Sequence, residues 1–473
     1  MKKIIYFLFL IYAVLNTYSQ NVTVYLSPDV NDEDSYPEII GMNDQSFYVI
    51  SSKSENEFYI ENFTNKELRR IYKRQVEMPK IEGKPNIFEN ILYFNSHIYL
   101  FSSQHDKKLK KYTIYINEVK ANGELSLNHT VIDEISFTDK NYFCKYSFSL
   151  SSDSNRILAF RESSESESSK GKINYKVISK GLKAVFNKDI ELELPLHKTS
   201  ISNVFIDDEQ NLYYTEKQFL KNESESGDYT KLFVASYKSE KDSLYKSEIS
   251  INEKRFLDVN LQFNPQGKLI CTGNYAVDKN SSTNWEESHT MKGFYYLIFE
   301  PENLKNLSQA QYNIQDIFPE EKFYHYYLTN SFQLDENSLV VLSEYQNTIC
   351  DNGNCDSKFG PMIKVNFNLK EKQGFAAQKI TSLVNGEKPS CKGGTLSYLS
   401  FQHNNTVKLL FNCNKQFEIA TNGTVAPKSI FDSSSNADLA FMKYSFRMNK
   451  EDMLVLTYSK KTGNRFAKFS FKD

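Results

Sequence analysis

Phe263-Asn264-Pro265-Gln266-Gly267-Lys268-Leu269-Ile270-Cys271 joins a large apolar residue, a short polar reversal and a run of strand formers. The same pattern returns along the chain. It reads Phe148-Ser-Leu then Ile157-Leu-Ala-Phe, Phe205-Ile-Asp then Leu212-Tyr-Tyr, and Phe332-Gln-Leu then Leu339-Val-Val. Further copies begin at Phe401 and Phe446, and weaker ones at Ile40 and Leu92. The eight anchors are 52, 56, 57, 58, 69, 69 and 45 residues apart. Such a period suits four short antiparallel strands per unit, repeated.

Composition agrees with an all-β chain. Of 473 residues, 40% are hydrophobic and 14% aromatic, with 35 Phe and 31 Tyr against one Trp. Aromatic and β-branched residues favour pleated, half-buried strands. The 17 Gly and 11 Pro are too few for a collagen-like or low-complexity chain. The net charge of −2, with acids and bases interspersed, leaves no basic field for nucleic acid.

The first 19 residues read as a signal peptide. Lys2 and Lys3 precede an apolar stretch over 4–15, too short to span a bilayer comfortably. Thr17 and Ser19 then supply small residues at the −3 and −1 positions of a cleavage site. The expected mature protein is one domain over 20–473 with no transmembrane segment. It is expected to be monomeric and exported to a periplasm, the cell surface or the medium.

A ring of four-stranded units resembles the β-propeller architecture. The fold read here is an eight-bladed propeller, with a seven-bladed ring plus an extra hairpin as the alternative. The blades run over about 37–80, 86–138, 142–195, 200–252, 256–318, 324–385, 394–432 and 438–473. The last has three strands. The resemblance implies that Val22-Thr-Val-Tyr-Leu26 supplies the missing outer strand and closes the ring. No tryptophan–aspartate dipeptide is present, and no kelch glycine pair recurs from blade to blade. The Ser-Pro-Asp-Gly turn of exported bacterial propellers survives as traces, at Ser152-Asp153-Ser154 and Asn264-Pro265-Gln266-Gly267. No family's residue roles carry over.

In such a ring the a–b and c–d turns share one face, and the b–c and d–a connections share the other. The a–b turns here are short. The b–c segments at 162–171, 218–228, 278–289 and 346–359 read as long loops, which on a rigid scaffold collect binding residues. The 278–289 loop holds the one tryptophan, in Asn284-Trp285-Glu286-Glu287-Ser288-His289. Trp285 and His289 are candidate ligand contacts. Residues opening strand a would line the channel: Asn90, Lys145, Asn203, Asp258, His325, Tyr326, Ser397 and Lys443. Of these Lys145, Asn203, Asp258, His325 and Lys443 join the candidate ligand-binding set.

Export permits disulfides. Cys350 with Cys355, and Cys391 with Cys413, are the expected pairs, a crossed pairing between blades 6 and 7 being the alternative. Cys144 and Cys271 lie on blades that do not touch and are expected as buried free thiols. The sequence has no zinc-protease, nucleophile-elbow or phosphate-loop motif, so no catalytic residue, metal or cofactor is assigned. The favoured reading is a non-catalytic binding protein for a protein or glycan ligand. The alternatives are a polysaccharide hydrolase or lyase using Asp258 with Glu286 or Glu287, and a structural part of an envelope assembly.

Overall fold

The computed structural model describes residues 22–28, 37–54, 57–81, 83–137, 142–219, 231–250, 254–277, 290–351, 354–370, 375–380, 390–391, 395–396, 398–403, 406–411, 415–420, 423–429, 440–459 and 463–471. Seven antiparallel blades each use four strands consecutive in the chain. Their inner strands a are Glu38–Met42, Ile87–Phe94, Phe143–Leu150, Thr199–Ile206, Lys254–Phe263, Tyr326–Gln333 and Tyr398–His403. The remaining sheet is composite. Ala440–Arg447, Asp452–Ser459 and Gly463–Phe471 are joined by Val22–Leu26, which pairs antiparallel with the last strand from Val22 opposite Phe471 to Leu26 opposite Ala467. The strap over 22–26 is therefore where the sequence placed it. Contact between Ala440–Arg447 and Glu38–Met42 completes the circle, giving a β-propeller ring.

Packing explains why the central strands read as continuous apolar runs. Each junction between neighbouring sheets holds its own apolar cluster, so strands b and c are buried on both faces. Leu269 and Cys271 pack towards the fourth blade with Tyr213, Val234 and Ile249. Ile270 points the other way, into the sixth blade with Val341 and Ile363. Cys271 is a fully buried free thiol as expected, and Cys144 is free and half-buried.

The polar reversals are side-chain-tied turns. Asn264 Oδ1 accepts the backbone N–H of Gln266 and Lys268, at 3.0 and 2.7 Å, and Gly267 takes φ +71°. Asp207 does the same for Glu209 and Asn211, and Asn449 for Glu451 and Asp452. Asn and Asp recur there because their short side chains mimic a backbone turn.

One expectation needs correction. Residues 346–359 do not form a loop. Strands Ser338–Asp351 and Asn354–Asn368 run on as a hairpin, paired down to Asp351 opposite Asn354. Continued cross-strand pairing satisfies backbone groups that a loop would leave to water. Cys391 precedes the inner strand Tyr398–His403 of the seventh blade and pairs elsewhere. The short strand Ser390–Cys391 folds back onto the hairpin, with Cys391 opposite Ser357.

Candidate functional site

The two faces of the ring are built differently. On the a–b and c–d face the reversals are short and tied by Asx side chains, as at Asn122, Asn303 and Asn368. On the opposite face the b–c connections span 165–171, 219–230 and 278–292 in the third to fifth blades. In the sixth blade the long hairpin projects there, with Ser390–Cys391 added along its outer edge.

Bulges mark the inner strands. Pairing with strand b slips between Ile39 and Gly41, Phe88 and Asn90, Ser202 and Phe205, Phe256 and Asp258, Leu328 and Asn330, and Phe441 and Ser445. Bulges re-aim side chains next to a channel or rim. Several of the re-aimed side chains stitch neighbouring blades. Asn90 Nδ2 donates to Phe148 O at 3.1 Å. Asn203 has φ +52°, and its Nδ2 donates to Val259 O at 3.2 Å and Thr215 Oγ1 at 3.0 Å. Asn330 Nδ2 donates to Ser400 Oγ at 2.9 Å.

Asp258 crosses the next junction. Its Oδ2 accepts the backbone N–H of Leu328 at 2.9 Å, and its own N–H donates to Asn274 Oδ1 at 2.9 Å. Burial raises its pKa from the ordinary aspartate value, against the lowering effect of the Leu328 N–H. His325 has φ +56° and stands edge-on to Tyr345, with ring centroids 6.2 Å apart. Asn274 also donates to Tyr326 O at 3.4 Å, so Asp258 and the head of the sixth blade share one corner. Lys145 is exposed and opposite Glu162 in register. Burial raises the Glu162 pKa, and the Lys145 charge opposes that.

Lys443 lies on a described strand, but its side chain falls outside the described residues, as do the side chains of Cys350, Cys355 and Cys391. The backbones of Cys350 and Cys355 are directly opposite in the hairpin. Trp285, Glu286, Glu287, His289, Ser397 and Cys413 lie outside the described residues altogether.

Sequence reasoning missed two buried polar centres. Between the second and third blades, Asp133 receives Lys176 Nζ and Arg161 Nη1, each at 2.8 Å, and the Tyr146 hydroxyl at 2.5 Å. Arg161 Nη2 also reaches Asp189 at 3.1 Å. Burial pushes the Asp133 pKa up, but the bonds from Lys176 and Tyr146 and the two cationic charges outweigh it, and the pKa falls below its ordinary value. Between the sixth and seventh blades, burial alone pushes Glu344 up to about 8. Thr329 there hydrogen-bonds the Tyr398 hydroxyl. A signal was present in both cases. Arg161, Lys176 and Glu344 lie on central strands beside strongly apolar residues, and charged residues are seldom buried unless paired.

Among the described residues no three His, Cys, Asp or Glu side chains gather to hold a metal ion. No described helix is long and apolar enough to cross a membrane.

No known protein family matches the chain, and no curated protein does either. Solved structures do. The Dos1 propeller superposes with a TM-score of 0.51 over 94% of this chain and 95% of that one, at 9% identity. BamB from Moraxella catarrhalis gives 0.33 at 11% identity, over 82% and 84% of the two chains. A Synechocystis apocarotenoid oxygenase variant gives 0.36 at 8% identity, over 72% and 70%. The first likeness supports the propeller fold, and the other two carry no argument.

Proposed function

We propose that this propeller is exported, loses residues 1–19, and binds a protein or glycan through the face bearing the b–c connections. The observation that carries this reading is the asymmetry of the two faces. One is trimmed to tied turns. The other carries the long connections and a hairpin whose strands outrun their blade, to Asp351 and Asn354. A rigid ring presenting projecting segments on one side is a common way to hold a recognition surface. The bond from the Leu328 N–H gives the Asp258 carboxylate a structural task, which favours binding over the hydrolase reading.

The test is a pull-down from envelope extract with the mature protein, beside a variant in which a two-residue turn replaces 347–358. Loss of a partner from the variant, with its melting temperature kept, supports the reading. Equal recovery of every partner by both proteins rejects it. N-terminal sequencing of the secreted protein checks the cleavage after Ser19.

A further inference from the structure

We infer that the crevice between the second and third blades, on the face bearing the b–c connections, is a subsite for one neutral sugar ring. The inference rests on the loop-face reading and narrows it to a glycan at this point. The crevice encloses about 270 Å³, just under the ~300–1,000 Å³ of pockets that hold drug-sized ligands, so it is scaled to one ring. Tyr142 heads strand a, Ser163 and Ser164 end strand b, Lys172 opens strand c and Glu191 ends strand d. All of these strand ends open on the same face.

The wall is built around a donor that lacks an acceptor. Arg161 lines the crevice and is only 9% exposed. Its Nη1 serves Asp133 and lies 3.5 Å from the Tyr146 hydroxyl, and its Nη2 serves Asp189. Its Nε–H is buried and has no hydrogen-bond partner. Buried donors are nearly always satisfied, and a small turn of the guanidinium toward the crevice would offer this one to a ligand oxygen. Ser163 and Ser164 add two hydroxyls, 4% and 7% exposed as residues. The Tyr142 ring is held by stacking on Phe137, with centroids 5.1 Å apart and planes within 3°.

Charge selects among ligand classes. Arg161 and Lys172 face Glu165, Asp189 and Glu191 around the opening, and Asp133 stands behind Arg161. Lys170 holds Glu191 and Lys176 holds Asp133, so cations and carboxylates balance and neither an anion nor a cation meets a net opposite field. Vicinal hydroxyls use both signs at once, accepting from the Arg161 Nε–H and donating to a carboxylate. An aromatic ring beside such groups suits the apolar face of a sugar.

The experiment uses the mature chain and saturation-transfer NMR. Its probes are methyl glycosides of glucose, galactose, mannose and N-acetylglucosamine, with inorganic phosphate and lysine amide as charged controls. Concentrations should reach millimolar dissociation constants. Ser164→Leu fills the crevice. Glu191→Ala removes an exposed rim carboxylate, so it keeps the test open if the first variant does not fold. The expected result is transfer to at least one glycoside, weakened about tenfold or more in a folded variant, and unchanged by the 347–358 replacement. Binding of phosphate or lysine amide without any glycoside overturns the inference. So does the absence of glycoside binding, or glycoside binding that both folded variants retain in full. A partner lost with the hairpin while no glycoside binds sinks the sugar subsite and leaves the loop-face reading standing.

Discussion

Asp133 and Asp258 both cross a blade junction, yet their carboxyl groups are shifted in opposite directions. Asp133 meets two cations and a phenol, at 2.5 to 2.8 Å, and ionises more easily than usual. Asp258 meets a backbone N–H and an amide side chain, and burial makes it ionise less easily. The contrast shows that a propeller can fasten neighbouring blades with either currency of polar contact. A charged fastening tolerates a buried ion by neutralising it, and an amide fastening leaves the ion poorly compensated.

The folded pKa of Asp133 lies below its unfolded value. Its contribution is present above the unfolded value near pH 4 and is lost as pH falls through the folded one. The folded pKa of Asp258 lies above its unfolded value. Its burial costs nothing below about pH 4 and more as pH rises through the folded value.

The largest effect is expected from Asp133→Ala. It strands Arg161 and Lys176 without their shared carboxylate and should cost about 3–5 kcal/mol in urea unfolding near neutral pH. The deficit should shrink on acidification. A loss below about 1 kcal/mol would mean that water replaces the carboxylate.

Gly273→Ala probes packing within the blade that carries Asp258, by sterics. A Cβ there would stand 2.2 Å from the Tyr295 hydroxyl and 2.3 Å from Asp258 O. The expected cost is about 1–3 kcal/mol, read from the denaturation midpoint. An unchanged midpoint would show that Tyr295 yields without strain.

Asn203→Ala removes one inter-blade stitch and should cost about 1 kcal/mol. Asn203→Gly, which suits the positive φ at the price of the same bond, isolates the backbone component.

Asp258→Asn should have the smallest effect. It keeps an acceptor for the Leu328 N–H and removes the ion, so stability should change by less than about 1 kcal/mol at pH 4 and improve relative to the parent as pH rises. A mutant that loses ground with rising pH would show that the carboxylate is favourably paired after all.

Much of the fold was legible because it depends on local period. Alternation and aromatic content located the strands, and the Asx residues located the reversals, since a turn needs only residues near in sequence. The strap over 22–26 was legible as a surplus strand facing a three-stranded last unit. The sixth-blade hairpin was not. Residues 346–359 are rich in Asn and Asp, which disfavour strands, and pairing that runs down to Asp351 opposite Asn354 overrode that preference. The crevice around Arg161 was also hidden. Asp133, Tyr146, Arg161, Lys176 and Asp189 come from five strands of two blades, and no spacing in the chain links them.

By itself the sequence determined the repeat, the strand-forming runs, the tied reversals and the absence of familiar catalytic motifs, because each depends on residues within a few positions of one another. Only the tertiary structure decided which side chains meet across the blades: the opposed states of Asp133 and Asp258, the unsatisfied Arg161 Nε–H, and the hairpin standing clear of its blade. Those facts depend on how separate sheets stack around one axis, and burial and distance between remote residues are properties of that stacking alone.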